Sequence, residues 1–260
     1  MSHTVETAIS KVYADRILVR GYNIVDLAAA CSYGEVLYLL LRGELPTRNE
    51  GALIEAMLVV MVEHSINAPS THTARMVANC GSPVQSAVAA GISAIGDYHG
   101  GAGEECARML QEEVARAGTD FDPADSAHRV VRDARAAGIR LPGFGHRVHD
   151  PDPRAIFLLA RARDLGIAAK HTALAESIVA ELLAQTGKSL PLNVDGALAA
   201  LISDMGFDYR MGKGFFIVAR TAGLLAHVQE EMREGKPFKF AAKVPATYVG
   251  PDERPLPPVA

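Results

Sequence analysis

Between Thr47 and His64 the apolar residues Leu53, Ile54, Met57, Leu58, Met61 and Val62 recur every three or four positions. That spacing gathers side chains onto one face of an α-helix, and the polar remainder predicts a helix packed on one side into a core. Helix starts recur along the chain. Ser32 with Glu35 and Thr47 with Glu50 read as capping boxes, in which each side chain satisfies a free backbone N–H of the first turn, and Ser82 followed by Pro83 and Gln85 has the same form. Helix ends are as regular: Gly43, Gly96, Gly118, Gly138, Gly166, Gly187, Gly206 and Gly235 each follow a helical pattern, as glycine does at a left-handed C-cap. The pattern predicts an all-α fold. Only Ile9 to Arg20 reads differently, as two short β-prone runs about a turn at Ala14-Asp15, a small N-terminal β-hairpin. The tail VGPDERPLPPVA holds four prolines in its last ten residues and is predicted to be extended and to lie across a neighbouring subunit. With no repeat and no clear linker, residues 1–260 read as a single compact domain, with a smaller helical lobe around 100–200 hinged near GFGHR.

Composition narrows the classes of function. Of 260 residues, 49% are hydrophobic and 22% charged, enough apolar surface for a core that needs no disulfides. Cys31, Cys80 and Cys106 are scattered and form no CxxC pair, which fits a reducing cytoplasm. A net charge of −4 argues against nucleic acid, whose phosphates call for a clustered excess of Lys and Arg. The most apolar stretch, Met57 to Val62, is bracketed by Glu55 and Glu63 and is far shorter than the roughly 20 residues of a membrane span. The start, MSHTVETAIS, lacks the apolar core of a signal peptide and reads as the start of a mature chain.

Three of the nine histidines stand beside glycine or proline in loops: His64 in HSINAPST, His99 in YHGG and His146 in PGFGHRVH. The plain reading of each is an imidazole with a backbone partner. A metal site built from His146, His149, Asp150 and Asp152 is poorly supported, because Pro151 and Pro153 make the segment an extended turn and no HExxH or EF-hand pattern accompanies it. Asp152 reads instead as the N-cap of a helix beginning at Pro153, and no metal is expected. GGAG at 100–103 and GKG at 212–214 match neither GxGxxG nor GxxxxGK[ST], so these glycines read as points of close approach by a ligand or another helix. The third chemistry is that of carbonyls. Neutral imidazoles donate to developing oxyanions, a carboxylate moves a carbon-bound proton and arginines clamp carboxylates. His99, His146, Asp195 in LPLNVDG, Arg154 and Arg220 supply every role. Asp195 reads equally well as a helix N-cap, and Arg220, in the apolar run FFIVARTAGLLA, would need an anionic partner if buried.

At this point the motifs resemble those of a known family. RGYNIVDLA with SYGEVLYLLLRGELPT is similar to the N-terminal signature of the citrate synthases, YHGGAGEE to their HGGANE loop and GFGHRVHDPDPRA to their GHRVYKxxDPRA segment. NVDG resembles their catalytic NVD, and FIVARTAGLLAHVQE the arginine-bearing FxVxRTxGWxAHxxE helix. The resemblance implies a citrate synthase-like helical fold. It further implies that His99 hydrogen-bonds a thioester or enolate oxygen, that Asp195 exchanges the proton at the acetyl carbon and that His146 polarises a keto oxygen. By the same resemblance His64, Arg154 and Arg220 hold substrate, and the loop of Pro142, Gly143, Phe144, Gly145 and Arg147 cradles coenzyme A. No cofactor would be permanently bound; coenzyme A would come and go as part of substrate and product, beside a di- or tricarboxylate, and a homodimer or larger homo-oligomer is implied.

Departures point to one branch. Pro46 and His64 are joined by a single helix where full synthases carry more than a hundred residues, a shortening that resembles the citryl-CoA lyases and the corresponding module of ATP-citrate lyase. IGDYHGG and NVDGALAAL agree with that branch, although His99 is a residue that the ATP-citrate lyase module lacks. The run from His146 to Arg154 is one residue shorter than in synthases, Pro69 is inserted in NAPST, and KVPATYVG lacks the arginine that synthases place near their C-terminus. The expected reaction is retro-Claisen cleavage of citryl-CoA to acetyl-CoA and oxaloacetate. The alternatives are condensation of acetyl-CoA with oxaloacetate or another 2-oxo acid, and a non-catalytic subunit that binds acyl-CoA or citrate.

Overall fold

The computed structural model describes residues 5–146, 151–237 and 247–256. An antiparallel sheet opens the chain, with β1 (Ser10–Val12), β2 (Ile17–Val19) and β3 (Tyr22–Asn23) in that order. The expected hairpin is present, with Ser10 opposite Val19 and Val12 opposite Ile17. The third strand was not expected. Arg20 at φ 49° and Gly21 at φ 89° form a two-residue turn whose positive angles suit the twist of a hairpin, and the Arg20 guanidinium is anchored on the Leu40 carbonyl at 2.7 Å.

Eleven α-helices follow among the described residues. They are α1 (Ile24–Ala30), α2 (Tyr33–Arg42), α3 (Arg48–Met61), α4 (Pro69–Asn79), α5 (Val84–Ser93) and α6 (Ala102–Ala117), then α7 (Pro123–Ala136), α8 (Pro153–Asp164), α9 (Lys170–Thr186), α10 (Val194–Asp204) and α11 (Met211–Glu234). The capping boxes of Ser32 and Thr47 form as expected. The third does not: Pro83, not Ser82, is the N-cap of α5, so the Ser82 hydroxyl stands one residue too early to reach the first turn. Gly43 and Gly187 take the left-handed cap, whereas Gly235 ends α11 at φ −69° and Gly96 belongs to the turn after α5, exchanging backbone hydrogen bonds with His99. Tyr248 to Leu256 run without helix or strand, as the prolines dictate. No helix among the described residues is long and apolar enough to cross a membrane.

The centre of the molecule is α10. From Gly196 to Ser203 every residue is buried, so this helix is apolar on all sides and packs against α6, α8, α9 and α11. Leu198 and Leu201 meet Leu110 of α6, Leu158 of α8, Ile178 of α9 and Phe215 of α11 in the main core. A second cluster presses α4 and α5 onto α11 through Ala74, Ala78, Ala87, Leu224 and Val228. Asp204, at the end of α10, fixes the start of α9. Its carboxylate bonds the His171 imidazole at 2.9 Å and accepts from the N–H groups of Ala169, His171 and Thr172 and from the Thr172 hydroxyl at 2.6 Å. Burial alone would raise its pKa, but these bonds outweigh burial and hold the carboxyl below its ordinary value. The packing thereby fixes α10, whose other end carries Asp195.

Candidate active site

Four helices begin at one cavity. It encloses about 520 Å³, and its wall includes Pro69, the first residue of α4; Ala102, the first of α6; Arg154, in the first turn of α8; and Val194, the first of α10. Each helix start carries a partial positive charge and backbone N–H groups without helical partners. No side chain caps α4 or α6, so the cavity is built to receive anions. His64, His99, His146, Asp195, Arg154 and Arg220 all line it, together with Gly145. The convergence expected from the motifs is therefore present.

His99 stands in a tight turn in which Gly96 and His99 exchange N–H···O=C bonds of 2.9 and 3.0 Å. Gly101 allows this turn, because a Cβ there would lie 2.6 Å from the Asp97 Cα. The ring is fixed by Ser70 on α4, whose backbone N–H donates to Nε2 at 3.3 Å while its hydroxyl lies at 2.8 Å. A backbone donor aimed at Nε2 requires a lone pair there, so the neutral ring carries its proton on Nδ1. Burial, then the nearby Arg220 and His64, lower the pKa of His99 and favour that neutral form.

His64 and His146 meet edge to face, with ring centroids 5.5 Å apart. Ser65, at φ 74°, turns the chain between α3 and α4 at His64, and its hydroxyl accepts from the Asn67 N–H at 3.1 Å. The loop leading to His146 lies flush on the start of α10. The Gly145 N–H donates to the Pro191 carbonyl at 2.7 Å, the Asn193 N–H to the Gly143 carbonyl at 3.0 Å, and the Asn193 side-chain amide to the Gly145 carbonyl at 2.8 Å. Phe144 is buried and pairs with Leu192, while Pro142 faces a separate hollow, so of the residues expected to cradle coenzyme A Gly145 alone among those described lines this cavity. Arg147, and with it His149 and Asp150, lies outside the described residues.

Close contact here leaves no room for side chains. A Cβ on Gly143, at φ 85°, would lie 2.8 Å from the Gly196 Cα, and one on Gly196 would lie 2.4 Å from the Gly143 carbonyl oxygen. Gly196→Ala is expected to displace the 142–146 loop, at a cost of about 1–3 kcal/mol in denaturant unfolding. Its kcat should fall further than this loss of stability would account for, because His146 moves with the loop. Gly212 of GKG serves the same end: a Cβ there would meet the Gly103 carbonyl at 2.8 Å, which brings α11 against α6.

Asp195 is not the N-cap of α10. Asn193 is, its Oδ1 accepting from the N–H groups of Asp195 and Gly196 at 3.0 and 3.1 Å, which leaves the Asp195 carboxyl facing the cavity. Burial raises its pKa and outweighs the lowering by Arg154 and Arg220, which favours the protonated form relative to a solvent-exposed carboxyl. Arg154 is gripped by Asp152 through two parallel bonds of 3.0 and 2.9 Å, and Asp152 also accepts from the N–H groups of Arg154 and Val194, each at 3.0 Å. One buried carboxylate thus caps α8, aims Arg154 and ties α8 to α10. Arg220 is 2% exposed. Its Nε donates to the Met61 carbonyl at 3.2 Å, its guanidinium lies 4.7 Å over the Phe216 ring, and Glu63 supplies negative charge nearby.

Sequence reasoning missed Ser70 and Asn193 as supports and saw Asp152 only as a cap. The signal was present for Ser70, which lies in HSINAPST, but its contact with His99 spans 29 residues.

The family model described as "Citrate synthase, C-terminal domain" matches residues 2–52 and 48–241. The "Putative citrate synthase 2" of Mycobacterium tuberculosis is 36% identical over 206 residues, 77% of this chain and 52% of that protein. The citrate synthase of Haloferax volcanii is 31% identical over 243 residues, 92% of this chain and 61% of that protein. The chain thus spans between half and two thirds of the length of these curated relatives. Among solved structures, the citryl-CoA lyase from Hydrogenobacter thermophilus superposes with a TM-score of 0.88 at 40% identity, covering 98% of both chains. ATP citrate lyase from Methanothrix soehngenii, in complex with citrate and coenzyme A, has the same fold at a TM-score of 0.84 and 24% identity, over 97% of this chain and 43% of that one. The fold, the convergent cavity and the match along nearly the whole sequence place this chain in the citrate synthase family.

Proposed function

We propose that the protein is a citryl-CoA lyase, which cleaves citryl-CoA to acetyl-CoA and oxaloacetate. The observation that carries this reading is the end-to-end match to the Hydrogenobacter thermophilus citryl-CoA lyase, 98% of each chain at 40% identity, where the curated synthases extend well beyond it. The cavity supports it chemically. Four helix starts and two arginines suit a substrate with two free carboxylates, and burial raises the pKa of Asp195, as its acid role requires.

In the proposed mechanism His146 takes the proton of the tertiary hydroxyl and the C–O bond becomes a carbonyl. The carbon–carbon bond breaks, and its electron pair passes to the acetyl unit as an enolate. The Nδ1–H of neutral His99 donates to the thioester oxygen as negative charge develops there. Asp195, protonated, delivers its proton to the enolate carbon, and the proton taken by His146 restores the acid. Arg154 and Arg220 hold the carboxylates of the departing oxaloacetate, with His64 beside His146 at the keto end.

Purified protein given citryl-CoA in one assay, and acetyl-CoA with oxaloacetate in another, tests the reading. Faster release of acetyl-CoA supports it. Faster condensation makes the enzyme a synthase, and ligand-dependent thermal shifts without product in either assay make it a binding subunit.

The Ser70 contact leads to a pH prediction. Because the pKa of His99 is lowered from 6.5, its neutral form persists as pH falls, and the acid limb of kcat/KM is expected below the ordinary imidazole range. Ser70→Ala removes one hold on Nε2. That limb should move upward, with kcat reduced by about tenfold and KM little changed. A pH–rate profile of both proteins checks this.

A further inference from the structure

Glu63 stands immediately before His64 and has no part in the mechanism above. It follows the end of α3 and lies against one face of α11, on which Arg220, Gly223 and His227 recur at helical spacing. Gly223 lets the chain come close: a Cβ there would lie 2.7 Å from Oε2 of Glu63 and nearer still to the Val62 carbonyl oxygen. His227 closes the far side. Arg75 of α4 brings Nη1 within 3.5 Å of its Nδ1, and because a guanidinium only donates, the neutral ring carries its proton on Nε2. That nitrogen lies 3.1 Å from Oε1 of Glu63, though off the hydrogen-bonding line. Both Glu63 oxygens are shut from solvent, and neither completes a hydrogen bond among the described residues.

A carboxylate so enclosed is costly unless a cation lies close. Arg220 is that cation, and its own state is the mirror image. Its Nε reaches Met61, its terminal nitrogens meet no acceptor among the described residues, and Glu63 acts on its charge more strongly than Arg154 or Asp195 does. We propose that Glu63 is the counter-ion of Arg220 in the empty cavity and competes for it with the substrate carboxylate, so that Glu63 sets how tightly the dicarboxylate end is held. The proposal rests on the reading that Arg220 binds that carboxylate. A charge that steadies Arg220 when the cavity is empty weakens the bound anion when it is full, and the two effects are linked. Release of oxaloacetate is then easier from a clamp already partly neutralised. Arg154, gripped by Asp152, is in the same condition.

Calorimetric binding of oxaloacetate and citrate to Glu63→Gln, with free CoA as the control, tests this without turnover. The variant is expected to bind both acids about fivefold or more tightly and CoA as wild type does. Empty, it should unfold about 2–4 °C lower, and saturating citrate should close that gap. Glu63→Asp, which keeps the charge, should stay near wild type. Binding of the acids that is unaltered or weaker in Glu63→Gln overturns the proposal, because loss of a merely structural contact lowers stability without raising affinity. Equal tightening of CoA also overturns it, since that marks a general rise in potential and not the release of one arginine. Should Glu63→Gln fail to fold, the double variant with Arg220→Gln decides: recovered folding supports the pairing, and continued failure overturns it. A wild type that binds neither acid defeats the dicarboxylate reading, and the proposal with it, whereas a wild type that binds both with an affinity untouched by Glu63→Gln defeats the assignment of Glu63 alone.

Discussion

Replacing Asp195 by asparagine is expected to reduce turnover by about 100- to 10,000-fold, the range for loss of a positioned general acid or base, while CoA ligands still bind. The substitution keeps the shape of the side chain in the first turn of α10, where Asn193 does the capping, so the helix start should survive. Stability should move the opposite way. Burial raises the pKa of Asp195 above 3.8, so the folded state binds this proton more tightly than the unfolded chain does. Its favourable contribution is full below the unfolded value and is lost as pH rises through the folded one. At neutral pH, where the unfolded chain is ionised, the buried carboxyl therefore opposes folding, and asparagine removes that cost. An inactive variant at least as stable as wild type at pH 7, with the difference shrinking toward pH 4, is the expected result of denaturant titrations across pH. Wild-type turnover in Asp195→Asn would remove this residue from the mechanism.

The second large effect is expected at Asp152. Truncation to alanine strips two bonds from Arg154, one from the Val194 N–H and one from the first turn of α8. Deleting one partner of a largely buried ion pair costs about 3–5 kcal/mol, because the other charge is left without compensation. Asp152→Ala should thus shift the unfolding midpoint by that amount at unchanged m-value and lower kcat/KM, since Arg154 loses its aim. Asp152→Asn, which keeps an acceptor for the Val194 N–H, should recover more stability than activity. If both variants unfold and turn over as wild type does, the assigned linkage between α8 and α10 is wrong.

What could be read from the sequence was local. Ser32 with Glu35 and Thr47 with Glu50 announce helix starts because donor and acceptor lie three residues apart, and both form. Ser82 shows the limit of that reading: the same residues shifted by one position leave Pro83 as the cap and the hydroxyl out of reach. The hairpin at Ser10–Val19 was legible from its β-prone runs, whereas β3 depends on Arg20 adopting a positive φ, which a non-glycine residue seldom signals. The site shows the same division. His99, His146, Asp195, Arg154 and Arg220 could be named from motifs, and the fold brings them to one cavity. Their supports could not be named, because Ser70 acts on His99 and Asp152 on Val194 only after distant helices have packed.

The meeting of four helix starts at one cavity has a consequence for how the proposed activity can be disabled. Guanidinium and imidazole charges can be deleted by substitution or altered by acid, but the peptide dipoles of α4, α6, α8 and α10 neither titrate nor mutate. Stripped of its arginines, the pocket would still keep the uncapped starts of α4 and α6, donors built from main chain alone and as permanent as the fold itself.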